Sequence, residues 1–388
     1  MSSAQAEEKV CFVTGATGFV GLNLIDALLR ERWKVYGLHR QNSSRAQKIK
    51  QLDNYDPKYF CFVPGELTCD HSDFVKLVPV DVRYIFHLCH VREDVKALDR
   101  GSPTVAGFTH EGAEAHVQSN LLAMKNVLLA AEARSIKRLI YCSSWSAYGV
   151  LPAGSKVHEN TISVVDQAVN HKLCCCIGVR NIPWPYGQAK LRCEELLVEH
   201  CEKGLVKSGV IIQPCTVFGR YNEGGWGQLF RIMHTSKGKM PGLSGTSSFV
   251  DVQDLADVFI AAATSGGSEK CEKYVIGGTN DTALNMQGMI GDLVGYEGPR
   301  KVIPQGVIMC LAKWNELLLH VPGFRCCRIK TKVIGSPLLV NKMTQKQTAD
   351  SLKAQKQLGF KPRPLKDILQ RNYDWIVREG GLGNSKES

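Results

Sequence analysis

Apolar and polar positions switch between two periods along the chain, and each switch marks an element. Lys9–Thr14 (KVCFVT) is a short apolar run suited to a buried strand, after which Leu22, Ile25, Leu28 and Leu29 recur at helical spacing. Similar apolar runs predict strands at Trp33–Leu38, Phe60–Val63, Arg83–Cys89 and Lys137–Cys142. A helix is predicted over Asn120–Ala133, with Leu121, Leu122, Val127, Leu128 and Ala131 turned inward, and another beyond Tyr186 through Leu191, Leu196 and Leu197. Val210–Phe218 reads as a sixth strand and Phe249–Ala263 as a strand passing into a helix. From Val91 to Val117 the chain is polar with no clean period, which predicts a loop. Val302–Val321 is apolar but interrupted by Gln305, Lys313, Asn315 and Glu316, the pattern of an amphipathic helix rather than a membrane span. Strands alternating with helices predict an α/β fold around a parallel sheet.

The junctions carry the candidate chemistry. The first strand runs directly into Gly15-Ala16-Thr17-Gly18-Phe19-Val20-Gly21 and then a helix. A G-x-x-G-x-x-G turn in that context lets backbone approach a pyrophosphate and sets it at a helix amino terminus, where free N–H groups favour an anion. The second strand ends in His39-Arg40, where sites for NAD usually offer a carboxylate to the ribose 2′-hydroxyl; a cation there favours the 2′-phosphate of NADP(H). Ser43, Ser44 and Arg45 are helpers nearby. The third strand leads through Gly65-Glu66-Leu67-Thr68 to a loop expected beside the adenine. The fifth ends in Ser143-Ser144-Trp145, placing a hydroxyl where open parallel sheets bind ligands. Tyr186 and Lys190, four apart, share one helical face, so the ammonium can lower the phenol pKa and make Tyr186 an acid–base group.

Composition narrows the setting. The 388 residues are 44% hydrophobic and 22% charged, ordinary for a globular protein with a sizeable core. The amino terminus MSSAQAEEKV lacks an apolar signal core, so a cytoplasmic protein is expected. The net charge of +11 is spread without a Lys/Arg block, which argues for a phosphate-bearing small molecule and against nucleic acid. Fifteen cysteines cannot all pair, and reduced thiols are expected. Cys174-Cys175-Cys176 beside His171, and Cys326-Cys327, lack the C-x-x-C spacing of a zinc site, so no metal is expected. His87 and His90, flanking Cys89, are expected to pack or to find a hydrogen bond.

TGATGFVG, IFHLCH, YCSSWSAYG, YGQAK, IIQPCTVFGR and FVDVQDLADV follow one another in the order and approximate spacing of the extended short-chain dehydrogenase/reductases, also called NAD-dependent epimerase/dehydratases. The sequence most resembles the dihydroflavonol-reductase, 3β-hydroxysteroid-dehydrogenase and hopanoid-associated sugar-epimerase branch. The resemblance implies a Rossmann doubly wound parallel sheet with a smaller, mainly C-terminal substrate domain: residues 1–219 with 249–279 binding cofactor, 220–248 and 280–388 binding substrate. It implies that Gly15, Gly18 and Gly21 hold the pyrophosphate, that Ser144 hydrogen-bonds the reacting oxygen, and that Tyr186 and Lys190 form the acid–base pair. Lys190 would also hold the nicotinamide ribose, and the backbone at Pro214 would meet the carboxamide. Two positions depart from the pattern: Gln213 stands where the family usually has an Arg, and Glu66 where it has an Asp near the adenine amine.

These implications make the chain an oxidoreductase moving hydride between NADP(H), or NAD(H), and a secondary alcohol or ketone. A nucleotide-sugar epimerase using transient oxidation is the alternative within the fold, and a non-catalytic NADP-binding regulator the alternative of another class. The joint presence of Ser144, Tyr186 and Lys190 speaks against the regulator, and Trp145-Ser146 after Ser144 lacks the acidic pair of related dehydratases. Trp226, Leu229, Phe230, Ile232 and Met233, with few anion contacts beyond Arg220 and Arg231, favour an apolar or mixed substrate; Lys237 and Lys239 keep the sugar alternative open. A homodimer is compatible with the chain.

Overall fold

Val10, Cys11, Phe12 and Val13 are almost wholly buried because β1 (Val10–Thr14) lies inside a sheet covered on both faces. The computed structural model describes residues 9–41, 43–91, 110–166, 185–265, 270–320, 340, 344–379 and 381–382. After β1 come α1 (Phe19–Arg30), β2 (Lys34–His39), β3 (Phe60–Pro64), α2 (His71–Leu77), β4 (Tyr84–His87), α3 (His110–Ala133) and β5 (Arg138–Cys142). Then follow β6 (Ser155–Val157), α4 (Pro185–Glu202), β7 (Gly209–Pro214), β8 (Thr216–Phe218), α5 (Gln228–Thr235), β9 (Thr246–Asp251), α6 (Val252–Thr264), β10 (Cys271–Ile276) and β11 (Thr279–Thr282). The chain continues with α7 (Ala283–Val294), α8 (Gln305–His320), β12 (Gln347–Ala349), α9 (Leu352–Leu358) and α10 (Leu365–Arg378).

Seven strands form one parallel sheet in the order β10-β7-β5-β4-β1-β2-β3. Strand order reverses between β1 and β4, and at such a switch point the two diverging connections leave a crevice at the carboxyl ends. The apolar stripe of α1, Ile25, Leu28 and Leu29, packs with Leu255, Val258 and Phe259 of α6 on one face of the sheet. Phe74 of α2, Val127 and Leu128 of α3, and Cys193 and Leu197 of α4 cover the other. Each such fully buried aliphatic side chain contributes about 1.5–3 kcal/mol, so the helices are held firmly enough to fix what lies at their ends. A third apolar cluster unites α5, α7, α8 and α10 around Phe230, Met286, Ile308 and Ile368, and forms the smaller, mainly C-terminal part of this Rossmann architecture.

Four expectations change. Helix α3 begins at His110, ten residues before Asn120, so part of the polar stretch read as loop is helical; residues 92–109 lie outside the description. Leu122 on that helix is exposed rather than inward, since its neighbour Leu121 takes the inner stripe and successive residues point 100° apart. The sixth strand divides at Pro214: β7 stays in the main sheet, whereas β8 pairs with β9 in a separate three-stranded sheet with β11. That leaves β10, which sequence periodicity did not single out, as the seventh strand. The triple cysteine at 174–176 and the pair at 326–327 lie outside the described residues.

Candidate functional site

All seven carboxyl ends point the same way, so the sequence-selected junctions gather along one edge. Gly15 leaves β1 with φ of +70°, and a Cβ there would sit 2.8 Å from the backbone nitrogen of Cys89, which follows β4. Only glycine satisfies both the left-handed turn and the close approach of the two strand ends. A side chain at Gly21 would strike the carbonyls of Gly15 and Ala16. Gly18 caps α1 without a side-chain hydrogen bond, and the first turn of α1 carries no acidic residue. Thr17, Gly18, Phe19 and Val20 stay partly exposed at this amino terminus. A helix start with no side-chain cap and no acidic residue in its first turn, over a glycine floor, fits a diphosphate.

Arg40 is exposed just past β2, its carbonyl 3.0 Å from Nδ1 of His39, whose ring rests edge-on against Phe62. Glu66 is exposed beyond β3, whereas Leu67 is buried and its carbonyl accepts a hydrogen bond from Asn126 at 2.9 Å. Pro214 closes β7 and is buried. The adenine-side and nicotinamide-side candidates thus flank the switch point in strand order, β3 and β2 on one side and β5 and β7 on the other.

Lys190 is 3% exposed. Its Nζ donates to the carbonyl of Cys142 at 2.7 Å, and lies 4.9 Å from the ring centre of Tyr141 and 5.8 Å from that of Tyr186. The ammonium is therefore anchored to the strand that delivers Ser144 while facing the phenol one turn back on α4. Ser144 caps the 3-10 turn Trp145–Tyr148: its Oγ accepts from the Ser146 N–H at 3.2 Å and donates to Ser146 Oγ at 3.1 Å. A Cβ on Gly187 would collide with the Ser146 carbonyl, so the start of α4 is pressed against the turn that holds Ser144. Ser144, Tyr186 and Lys190, 46 residues apart in sequence at most, are carried by elements in direct contact.

His87 and His90 both fall as expected. His87 is buried, stacks on Tyr141 with centroids 5.4 Å apart, and shares a 2.7 Å hydrogen bond between Nδ1 and Thr14 Oγ1. Burial, and secondarily the Lys190 charge, push its pKa down to about 3, so it is neutral. His90 meets the Tyr186 ring edge-to-face at 4.7 Å, and its Nε2 is 2.9 Å from Nε2 of His116 on α3. The sequence marked His90 for packing or a hydrogen bond, and it makes both; nothing in the sequence indicated His116.

Trp145, the residue after Ser144, lines a small recess with Trp226, Phe249 and Met286, and with the polar Ser247 and Gln345. Of the apolar residues expected to face substrate, Leu229, Phe230 and Met233 are instead consumed in the core of the smaller region. Arg220 is not open to an anion: it is mostly buried and paired with Asp26 at 2.6 Å and Asp53 at 2.5 Å. No helix among the described residues is long and apolar enough to cross a membrane.

Known proteins share this fold. The chain is 25% identical over 373 residues to a Synechocystis sp. protein named "Putative dihydroflavonol 4-reductase", covering 95% of each. It is 24% identical over 390 residues to 3beta-hydroxysteroid-dehydrogenase/decarboxylase isoform 1 of Arabidopsis thaliana, covering 95% of this chain and 79% of that one. Among solved structures it superposes on UDP-glucuronic acid 4-epimerase from Bacillus cereus, in complex with UDP-glucuronic acid and NAD, with a TM-score of 0.66 and 21% identity over 95% of this chain and 99% of that one. Residues 11–277 match the family model, and the chain belongs to the NAD dependent epimerase/dehydratase family.

Proposed function

We propose that the protein is an NADP(H)-dependent oxidoreductase acting on a secondary alcohol or ketone through Ser144, Tyr186 and Lys190. The observation that carries this reading is the anchoring of the Lys190 ammonium between the β5 end that precedes Ser144 and the phenol of Tyr186. A free phenol titrates near pH ~10, so a fixed cation is what an acid–base tyrosine needs at neutrality. Tyr186 passes the proton to or from the substrate oxygen, Ser144 orients that oxygen, and Lys190 stabilises the phenolate state. Gly15, Gly18, Gly21 and the partly exposed Thr17, Phe19 and Val20 would hold the diphosphate, Arg40 would meet the 2′-phosphate, and Glu66, Leu67 and Pro214 would border the adenine and nicotinamide ends. The bound nicotinamide supplies or takes up hydride.

The substrate assignment rests on the recess lined by Trp145, the residue after Ser144. A recess walled by two tryptophans, Phe249 and Met286 suits an apolar ketone, and Arg220 is already neutralised by two carboxylates. The structural neighbours that bind nucleotide sugars support the epimerase instead, with Lys237 and Lys239 exposed on the same region. A panel of ketones, steroid ketones included, with NADPH followed by absorbance, run beside UDP-sugars, separates the two. Net NADPH consumption that Tyr186→Phe lowers at least about a hundredfold, with cofactor affinity nearly kept, is expected. UDP-sugar interconversion without net consumption would establish the epimerase.

A further inference from the structure

The carboxylate of Glu194 is 2% exposed, one turn beyond Lys190 on α4, and three strands reach it. Ser143, the residue before Ser144, donates its hydroxyl to Oε1. Gln213, the residue before Pro214, donates Nε2 to Oε1 at 2.7 Å, while its Oε1 accepts from the Tyr148 hydroxyl at 2.7 Å. Lys273 on β10 places Nζ 2.9 Å from Oε2. Burial, followed by the nearby Glu194 charge, pushes the Tyr148 phenol well above its ordinary pKa, so it stays a neutral donor to this network.

The sequence carries Gln213 where the family pattern has an arginine, yet Glu194 remains buried and needs a positive charge. Lys273 lies beside Ile211 in the parallel register, and Ile211 shares a face of β7 with Gln213. We propose that Lys273 supplies, from the neighbouring strand, the cation displaced from position 213, and that the Glu194–Lys273 pair is a positioning device for the site. Glu194 then ties the helix bearing Tyr186 and Lys190 to the ends of β5 and β7 that bear Ser144 and Pro214. Because two of its partners immediately precede Ser144 and Pro214, a loosened Glu194 shifts the groups meant to face the substrate oxygen and the cofactor. The siting of those groups rests on the proposed function; the charge pairing does not.

The test is a set of variants of the full chain, each read by melting temperature and by NADPH-linked ketone turnover. Lys273→Met leaves a buried charge unpaired and is expected to lower the melting temperature by about 5 °C or more, whereas Lys273→Arg should hold it. Glu194→Gln in the Lys273→Met background removes the orphaned charge and should recover most of the loss, as should Gln213→Arg in the same background. In turnover, Lys273→Met is expected to lower kcat about tenfold to a hundredfold with KM for NADPH changed less than about threefold, the split that misplacement rather than lost binding produces. Additive melting effects, with neither second substitution recovering Lys273→Met, would overturn the pairing, and the protein alone decides this whether or not a ketone is found. An active wild type whose kcat is untouched by Lys273→Met would overturn the positioning role while leaving the proposed function intact.

Discussion

At the scale of single residues, the proposed NADP(H) preference rests on Arg40. It stands exposed past β2 where a carboxylate would select NAD, and His39, turned against Phe62, offers no such acid. A charge-assisted contact to phosphate is worth about 1.5–3 kcal/mol, so Arg40→Ala should weaken NADPH about ten- to a hundredfold and leave NADH nearly unchanged, as titration calorimetry would show. Equal loss for both cofactors would assign Arg40 a structural role. Residues of this kind were legible in the sequence because their chemistry is tied to a motif: glycines at three-residue spacing, a cation after a strand, a Tyr and a Lys one turn apart. His116 was not, because its 2.9 Å contact with His90 joins a strand end to a helix that the polar residues from Val91 to Val117 concealed. Arg220 read as an available cation, and only the folded chain reveals the two carboxylates that occupy it.

At the scale of elements, the start of α4 against the Ser144 turn is the critical junction. Gly187 is tolerated there only because it has no Cβ to strike the Ser146 carbonyl and Val165. Gly187→Ala, in a helix where alanine is intrinsically favoured by about 1 kcal/mol, should nonetheless lower turnover about tenfold or more, since the helix must slide off the turn. Circular dichroism should show the helix retained; an unchanged rate would mean that Tyr186 and Ser144 need not be held together. Sequence period identified most main-sheet strands because those at the centre of the sheet, such as β1, β4 and β7, are buried on both faces and the rest keep short apolar runs. It missed the division at Pro214, since β7 and β8 remain apolar in either sheet. It missed β10 because Glu272 and Lys273 interrupt the run, and both are used in ion pairs with Lys353 and Glu194.

For the whole molecule, the site is coupled to stability through His87. The folded protein keeps this imidazole neutral, with its pKa at about 3, whereas an unfolded histidine titrates near 6.5. The stabilisation is thus complete above the unfolded value and is lost as pH falls toward 3, because protons bind the unfolded chain first. Asp254 acts in the opposite direction: burial, partly offset by Arg363, pushes it up to about 6, so its contribution is lost as pH rises through the interval from about 4 to 6. Comparing wild type with His87→Gln cancels the Asp254 effect. The wild type should lose about 1.4 kcal/mol per pH unit relative to the variant below pH ~6.5, measured by denaturant midpoints. A difference that does not vary with pH would mean that His87 takes up its proton in the fold as readily as in the unfolded chain.

The claim on which the rest depends is net hydride exchange with a carbonyl substrate at a site built from Ser144, Tyr186 and Lys190. The most direct measurement incubates the wild-type protein with NADPH carrying deuterium at nicotinamide C4 and with the ketone panel, then locates the label by mass spectrometry. Deuterium is expected on the carbinol carbon of a reduced product, formed in proportion to NADP⁺ and absent with Tyr186→Phe. Interconversion of UDP-sugars with the label retained on the cofactor, and no labelled alcohol from any ketone, would contradict net hydride exchange.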